Sequence, residues 1–441
     1  MSILIKDLSY IVTQDRLRRI LRNRSILVAD GRIESIAPSE ELGGLSSADQ
    51  VIDGRGYAAI PGMIDLHNHS VQTIFRGDLD GLPLMAWLRR IDLLYGLLDR
   101  ESLVDASRLS FYEKVLSGVT SVLDMERGVE EAVEAARQVG IRLFEAVALF
   151  DTIETGESGL RRIRDVDEEL RLAETYLKKY REDPMIEVFP GPVGFPSSSF
   201  ELMEEAARLA RRLHTPLHYH FAETPVNDRL ARNLNYAGEF VELERRGFFG
   251  ENLILAHAIH VDDYEIDSLA KYGVSVAHCP SSNLKLLNGV APIWKMVSHG
   301  VNVGLGTDGA ASNDSEDIFR EMKEASLIQR IYEGGIIDAQ KVFDMATVNA
   351  AEALGRRDLG SIEVGKRADI VLLNLKDPSL HPLDNLLENL VFSADRRCVD
   401  TVIIDGEILV RGGRHVSKTL EEQVLTGLER AREKLAEKMN G

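Results

Sequence analysis

From about residue 59 to 365, short runs rich in β-branched and other apolar residues alternate with longer segments rich in Glu, Arg and Ala. That alternation predicts repeated strand-helix units. Eight runs read as strands: 59–69, 119–125, 142–150, 186–193, 216–222, 253–259, 274–279 and 301–307. Between them, segments such as 130–139, 201–213 and 262–271 repeat their apolar residues at helical spacing. Eight such units predict an α/β fold, a (β/α)₈ TIM barrel spanning 59–365.

The flanks have a different pattern. Runs 3–12, 24–30 and 32–36 are strand-like, with a tight turn at Ala29-Asp30-Gly31-Arg32; 368–374 and 399–410 are strand-like, with a second turn at Asp405-Gly406. Neither flank buries a sheet alone, so 1–58 and 366–416 are expected to combine into one small β-sandwich. A charged C-terminal helix is expected over 417–441.

Composition narrows the function classes. The chain has 441 residues, 44% hydrophobic and 28% charged, as in an ordinary globular protein. No apolar run is long enough to cross a membrane, and the first residues, with Lys6 and Asp7, lack a signal-peptide core. Cys279 and Cys398 are the only cysteines, which fits a reducing compartment, and a cytoplasmic location is expected. A formal charge of −19 argues against nucleic acid or an anionic membrane as partner and leaves a small molecule.

Candidate chemistry gathers at the carboxyl ends of the expected strands, where such barrels build their sites. His67-Asn68-His69 closes the first strand, and residues two apart on a strand face the same way, so both imidazoles can meet one ion. His220 ends the fifth strand, His257 lies near the end of the sixth and Asp308 ends the eighth. Three imidazoles and a carboxylate suit one divalent ion, zinc foremost with iron or manganese as alternatives, so His67, His69, His220 and Asp308 are assigned as ligands. Glu223, three residues beyond His220, is a proton carrier, and His257 holds the attacking water or polarises the substrate. His218 lies one layer deeper on the face of His220 and is read as orienting a ligand. His278 ends the seventh strand and is expected to line the pocket. His214, His299, His381 and His415 read as surface or loop residues. The fourth strand carries no lysine to bridge a second ion, so a single metal is expected.

These blocks resemble the amidohydrolase superfamily, in its deaminase and chlorohydrolase branch, and are similar to methylthioadenosine/S-adenosylhomocysteine deaminases. The resemblance runs through Pro61-Gly62 before His67-Asn68-His69, Arg76-Gly77, Trp87-Leu88, His220 with Glu223, His257, the stretch from His278 to Lys285, Gly306-Thr307-Asp308-Gly309 and Gly365-Lys366. It implies the same four metal ligands, with Glu223, His257 and Asp308 handling protons, and hydrolytic release of ammonia from an aminated N-heterocycle by a metal-activated hydroxide. Hydrolysis of another C-N or C-Cl bond on a related ring, as in s-triazine chlorohydrolases, is the alternative. A homo-oligomer is also implied. In the thioether-nucleoside deaminases a glutamate after the tryptophan anchors the ribose; here that stretch holds Asp92 instead. Trp87, Asp92 and His278 are the candidate substrate contacts, and the departures imply a nucleobase, pterin or differently substituted nucleoside as substrate.

Overall fold

A computed structural model of the chain describes residues 2–42, 48–155 and 159–440. The eight expected barrel strands are present as Met63–Asn68, Val119–Glu126, Arg142–Leu149, Ile186–Pro192, Leu217–Phe221, Leu253–His257, Ser275–His278 and Asn302–Leu305. Hydrogen bonds order them into two parallel sheets, fourth-third-second-first and fifth-sixth-seventh-eighth. The fourth strand lies beside the fifth and the eighth beside the first. At these seams His220 N donates to Val193 O at 3.4 Å and Asp308 N donates to His67 O at 2.9 Å. The ring closes, so the carboxyl ends of all eight strands share one mouth.

The run 59–69 is two strands rather than one. Tyr57–Pro61 pairs with Ile370–Asn374 and with the end of Ser2–Val12, in the flank sheet, whereas Met63–Asn68 pairs with Val119–Glu126 in the barrel. The break falls at Gly62, where an added Cβ would stand 2.1 Å from Thr120 Oγ1. Only glycine lets the chain pass so close to the second strand.

The two flanks combine as expected, in one continuous nine-stranded sheet. Its path runs from Arg414–His415 through Glu407–Arg411, Val399–Ile404, Ile370–Asn374, Tyr57–Pro61, Ser2–Val12 and Ile20–Ala29 to Arg32–Ala37, with Gln50–Asp53 paired to Ser2–Val12. Both expected turns are tight and left-handed, with φ of 49° and 73° at Asp30-Gly31 and 51° and 78° at Asp405-Gly406. These turns touch: a Cβ on Gly406 would lie 2.9 Å from Gly31 Cα. The ends of the sheet therefore meet, and it folds over its own core of Ile3, Ile26, Val28, Ile370 and Ile403.

Several helices begin where a side chain satisfies one of their first N–H groups. Asp99 caps Arg100–Leu116, Asp165 caps Val166–Tyr180, and Asp262 with Glu265 forms a capping box on Asp263–Tyr272. Lys418–Asn440 is helical and packs on Arg100–Leu116; Gly441, the last residue of the expected helical segment, lies outside the described residues. Among the described residues no helix is long and apolar enough to cross a membrane. His415 is buried, not on the surface: its Nε2 faces Val139 O at 3.2 Å and its ring packs on Tyr112.

Below the mouth the barrel is filled by Leu66, Leu123, Met125, Phe144, Phe189 and Ile254, with Ala350 from the helix Val348–Ala353. This packed floor fixes the strand ends above it. At the seam between first and eighth strands, Lys114 from Arg100–Leu116 is fully buried. Its Nζ donates to Asp65 Oδ2 at 2.6 Å and to Thr307 Oγ1 at 2.9 Å, and Thr307 N donates to Asp65 Oδ1 at 3.0 Å.

Candidate metal centre

The strand ends bring His67, His69, His220, His257 and Asp308 into one cluster. The ligand atoms of His67, His69 and His220 lie within 4.8 Å of one another, as do those of His67, His257 and Asp308. Backbone conformations at the exits are unusual: Ala222, His257, Ala258 and Asp308 have φ of 48°, 72°, 46° and 58°. Non-glycine residues enter this region at a cost, and the barrel holds them there where the side chains must turn into the mouth.

Hydrogen bonds assign the proton on each ring. His69 Nδ1 faces Met125 O at 2.8 Å and His220 Nδ1 faces Val193 O at 2.6 Å, so each donates from Nδ1 and leaves Nε2 bare. His218 Nδ1 donates to Ile254 O at 2.9 Å, which leaves its Nε2 to accept from His67 Nδ1 at 2.8 Å. His67 Nε2 is then bare too, and it is buried without a partner. The bare Nε2 atoms of His69 and His220 stand 3.1 Å apart. Two lone pairs repel at that distance unless a cation lies between them. Burial, then the neighbouring imidazoles, hold His67 and His220 well below the ordinary histidine pKa, so both are the neutral form that binds metal.

Asp308 Oδ1 closes the group at 3.5 Å from His67 Nε2 and 3.8 Å from His69 Nε2. The donor set, imidazole nitrogens with one carboxylate, fits a zinc-class ion. Beside it, Glu223 Oε1 lies 3.9 Å from His257 Nε2. Burial raises the Glu223 pKa, against the opposing effect of His257 and of the Asn288 amide. A carboxyl held above its usual range can both take and give a proton near neutral pH.

Three residues that the sequence pattern does not single out complete the cluster, all from the segment after the seventh strand. Ser282 Oγ donates to Asp308 Oδ2 at 2.6 Å, Asn283 Oδ1 accepts from His257 Nδ1 at 2.9 Å, and Asn288 Nδ2 donates to Glu223 Oε1 at 2.8 Å. His218 orients His67 as expected. His260 leaves the barrel axis and its Nε2 meets Asn288 O at 2.8 Å.

The three expected substrate contacts differ in their surroundings. Trp87 is buried against Leu286 and Ala311, and its indole N–H donates to Ala311 O at 3.3 Å. Asp92 is exposed on Leu84–Tyr95. His278 alternates with Ala277, which faces the barrel floor, so its ring points outward against Pro280, Leu284, Val290 and Ile328. Position at a strand end suggested the pocket; strand parity sends the side chain the other way.

The amidohydrolase family profile matches residues 58–409. The chain belongs to the amidohydrolase family. Within that family it is 34% identical, over 93% of its own length and 95% of the relative's, to a 5-methylthioadenosine/S-adenosylhomocysteine deaminase of Desulforudis audaxviator. Among solved structures, an adenosine deaminase from Xanthomonas campestris with bound zinc superposes with a TM-score of 0.90 at 28% identity, covering 98% of both chains. The zinc complex of an atrazine chlorohydrolase from Arthrobacter aurescens also gives 0.90, at 27% identity, covering 98% of this amidohydrolase and 100% of that chain.

Proposed function

We propose that this amidohydrolase is a metal-dependent deaminase that releases ammonia from an aminated N-heterocycle, with His67, His69, His220 and Asp308 holding one zinc ion. The observation that carries the reading is the convergence of three bare Nε2 atoms, that of His67 buried, and one carboxylate beside Glu223 and His257. Bound there, the ion supplies a water whose pKa is drawn toward neutrality. Glu223 is placed to take a proton from that water and deliver it to a ring nitrogen. His257, its Nδ1–H fixed on Asn283, offers Nε2 to the substrate side. Asp308 would take the second proton of that water and pass it to the amino group, which departs as ammonia. The named substrates of the relatives, nucleosides bearing an adenine, support a purine or nucleoside ring; Trp87, adjoining Ala311, is kept as a wall of the substrate pocket.

Loss of chloride from a related ring is the second reading, favoured by the equal superposition on the atrazine chlorohydrolase. Product analysis on a panel of aminated and chlorinated purines, pyrimidines, pterins and triazines separates the two. Ammonia release, abolished in Glu223→Gln, supports deamination; chloride release without ammonia overturns it. Both cysteines are free and buried, which supports a cytoplasmic enzyme. Exposed Leu287, Trp294, Leu327, Ile331, Tyr332 and Ile336 on neighbouring elements support a homo-oligomer, checked by sedimentation.

A further inference from the structure

One short stretch, Ser282 to Asn288, reaches every proton-handling group of the site. Ser282 holds Asp308, Asn283 holds His257 and Asn288 holds Glu223. The stretch is itself anchored. Asn288 N donates to Asn283 O at 2.9 Å, Asn288 O accepts from His260 Nε2 at 2.8 Å, and the chain turns through φ of 60° at Leu287 and 117° at Gly289. A Cβ at Gly289 would come within 3.2 Å of Ile259 Cγ2, so the turn is pressed against the exit of the sixth strand, next to His257.

We infer that Asn288 is a positioning residue for Glu223: its Nδ2–H binds Oε1 at 2.8 Å and so leaves Oε2 as the oxygen that carries the proton. Glutamate has three rotatable bonds, and a carboxylate that must reach both a water and a ring nitrogen loses rate when its orientation is not fixed. An amide N–H suits the task because it donates and cannot itself take the proton. His260, whose ring lies off the barrel axis, secures Asn288 from behind. Each proton-handling group has one partner on the stretch, so a shift of this turn moves Asp308, His257 and Glu223 together.

The inference rests on Glu223 being the proton carrier of the proposed deaminase. Its test uses Asn288→Ala and the isosteric Asn288→Asp, which keeps the size but removes the donor. The readouts are bound zinc, kcat, KM and the Glu223 conformation in crystal structures of the zinc-loaded proteins. The expected result is kcat lower by about 10- to 100-fold, with KM and zinc content within about twofold of the parent and Glu223 displaced or split between conformers. Wild-type kcat with Glu223 unmoved in Asn288→Asp overturns the inference, and so does a parallel loss of zinc and fold in both variants. If the parent releases no ammonia from the panel, the deaminase reading fails, and the Glu223 conformer still decides whether Asn288 positions it.

Discussion

His218 Nε2 stands 2.8 Å from Nδ1 of His67, and its own Nδ1 is committed to Ile254 O. A backbone carbonyl in the sixth strand thereby dictates, through two buried rings, which nitrogen of His67 faces the cluster. Replacing His218 with Phe keeps a ring in the cavity and removes the acceptor. The expected outcome is zinc affinity weaker by about 10- to 100-fold, measured by competition with a chromophoric chelator, with turnover largely restored at saturating zinc.

Lys114 and Asp65 are both fully buried and paired at 2.6 Å, with Glu316 Oε2 3.7 Å from the same ammonium. Desolvation opposes the charged lysine, and Asp65 followed by Glu316 outweighs it, so the pKa is raised and Lys114 stays charged. Lys114→Met leaves two buried carboxyls without their cation. Stability is expected to fall by about 3–5 kcal/mol, read from urea unfolding. A change below about 1 kcal/mol would mean that the ion pair does not clamp the first strand to the eighth.

Neither nitrogen of His278 has a hydrogen-bond partner in its outward pocket, and burial pushes its pKa down to about 3. Between the ordinary value near 6.5 and about 3, the unfolded chain binds a proton at this position that the folded chain does not. The stability associated with the neutral ring is therefore complete above pH ~6.5 and is lost as pH falls through that window. His278→Leu removes both unpaired nitrogens and this acid sensitivity. It is expected to be more stable than the parent by about 1 kcal/mol at neutral pH and by a larger margin at pH 5, in paired urea titrations. Lower stability at both pH values would contradict the assignment.

Much of this was legible in the chain because barrel and site share one signal. A histidine or aspartate at a strand end marks a strand boundary and a candidate for the mouth, and His67, His69, His220, His257 and Asp308 fell together on that basis. The split at Gly62 was not visible, since Ile60 and Met63 are equally apolar and only the approach to Thr120 separates the two sheets. Lys114 carried no signal in the chain, because a lone lysine shows its buried partners Asp65 and Glu316 only after folding. Ser282, Asn283 and Asn288 were missed for a related reason. Their importance lies in hydrogen bonds to residues 26, 26 and 65 positions away, and short polar side chains in a turn carry no periodic mark.

Glu223 faces His257 across 3.9 Å and has its burial-raised carboxyl beside the cluster. Glu223→Gln keeps the shape and the contact with Asn288 but cannot carry a proton. Turnover is expected to drop by about 10²- to 10⁴-fold while substrate still binds, measured by steady-state ammonia release and by equilibrium binding of the same heterocycle.

The most direct test is ammonia release from the best aminated heterocycle of the panel as zinc is returned stepwise to chelator-stripped protein. No turnover is expected in the stripped chain, with a rise in proportion to bound zinc that levels off at one ion per chain. Full turnover by the metal-free protein would contradict it.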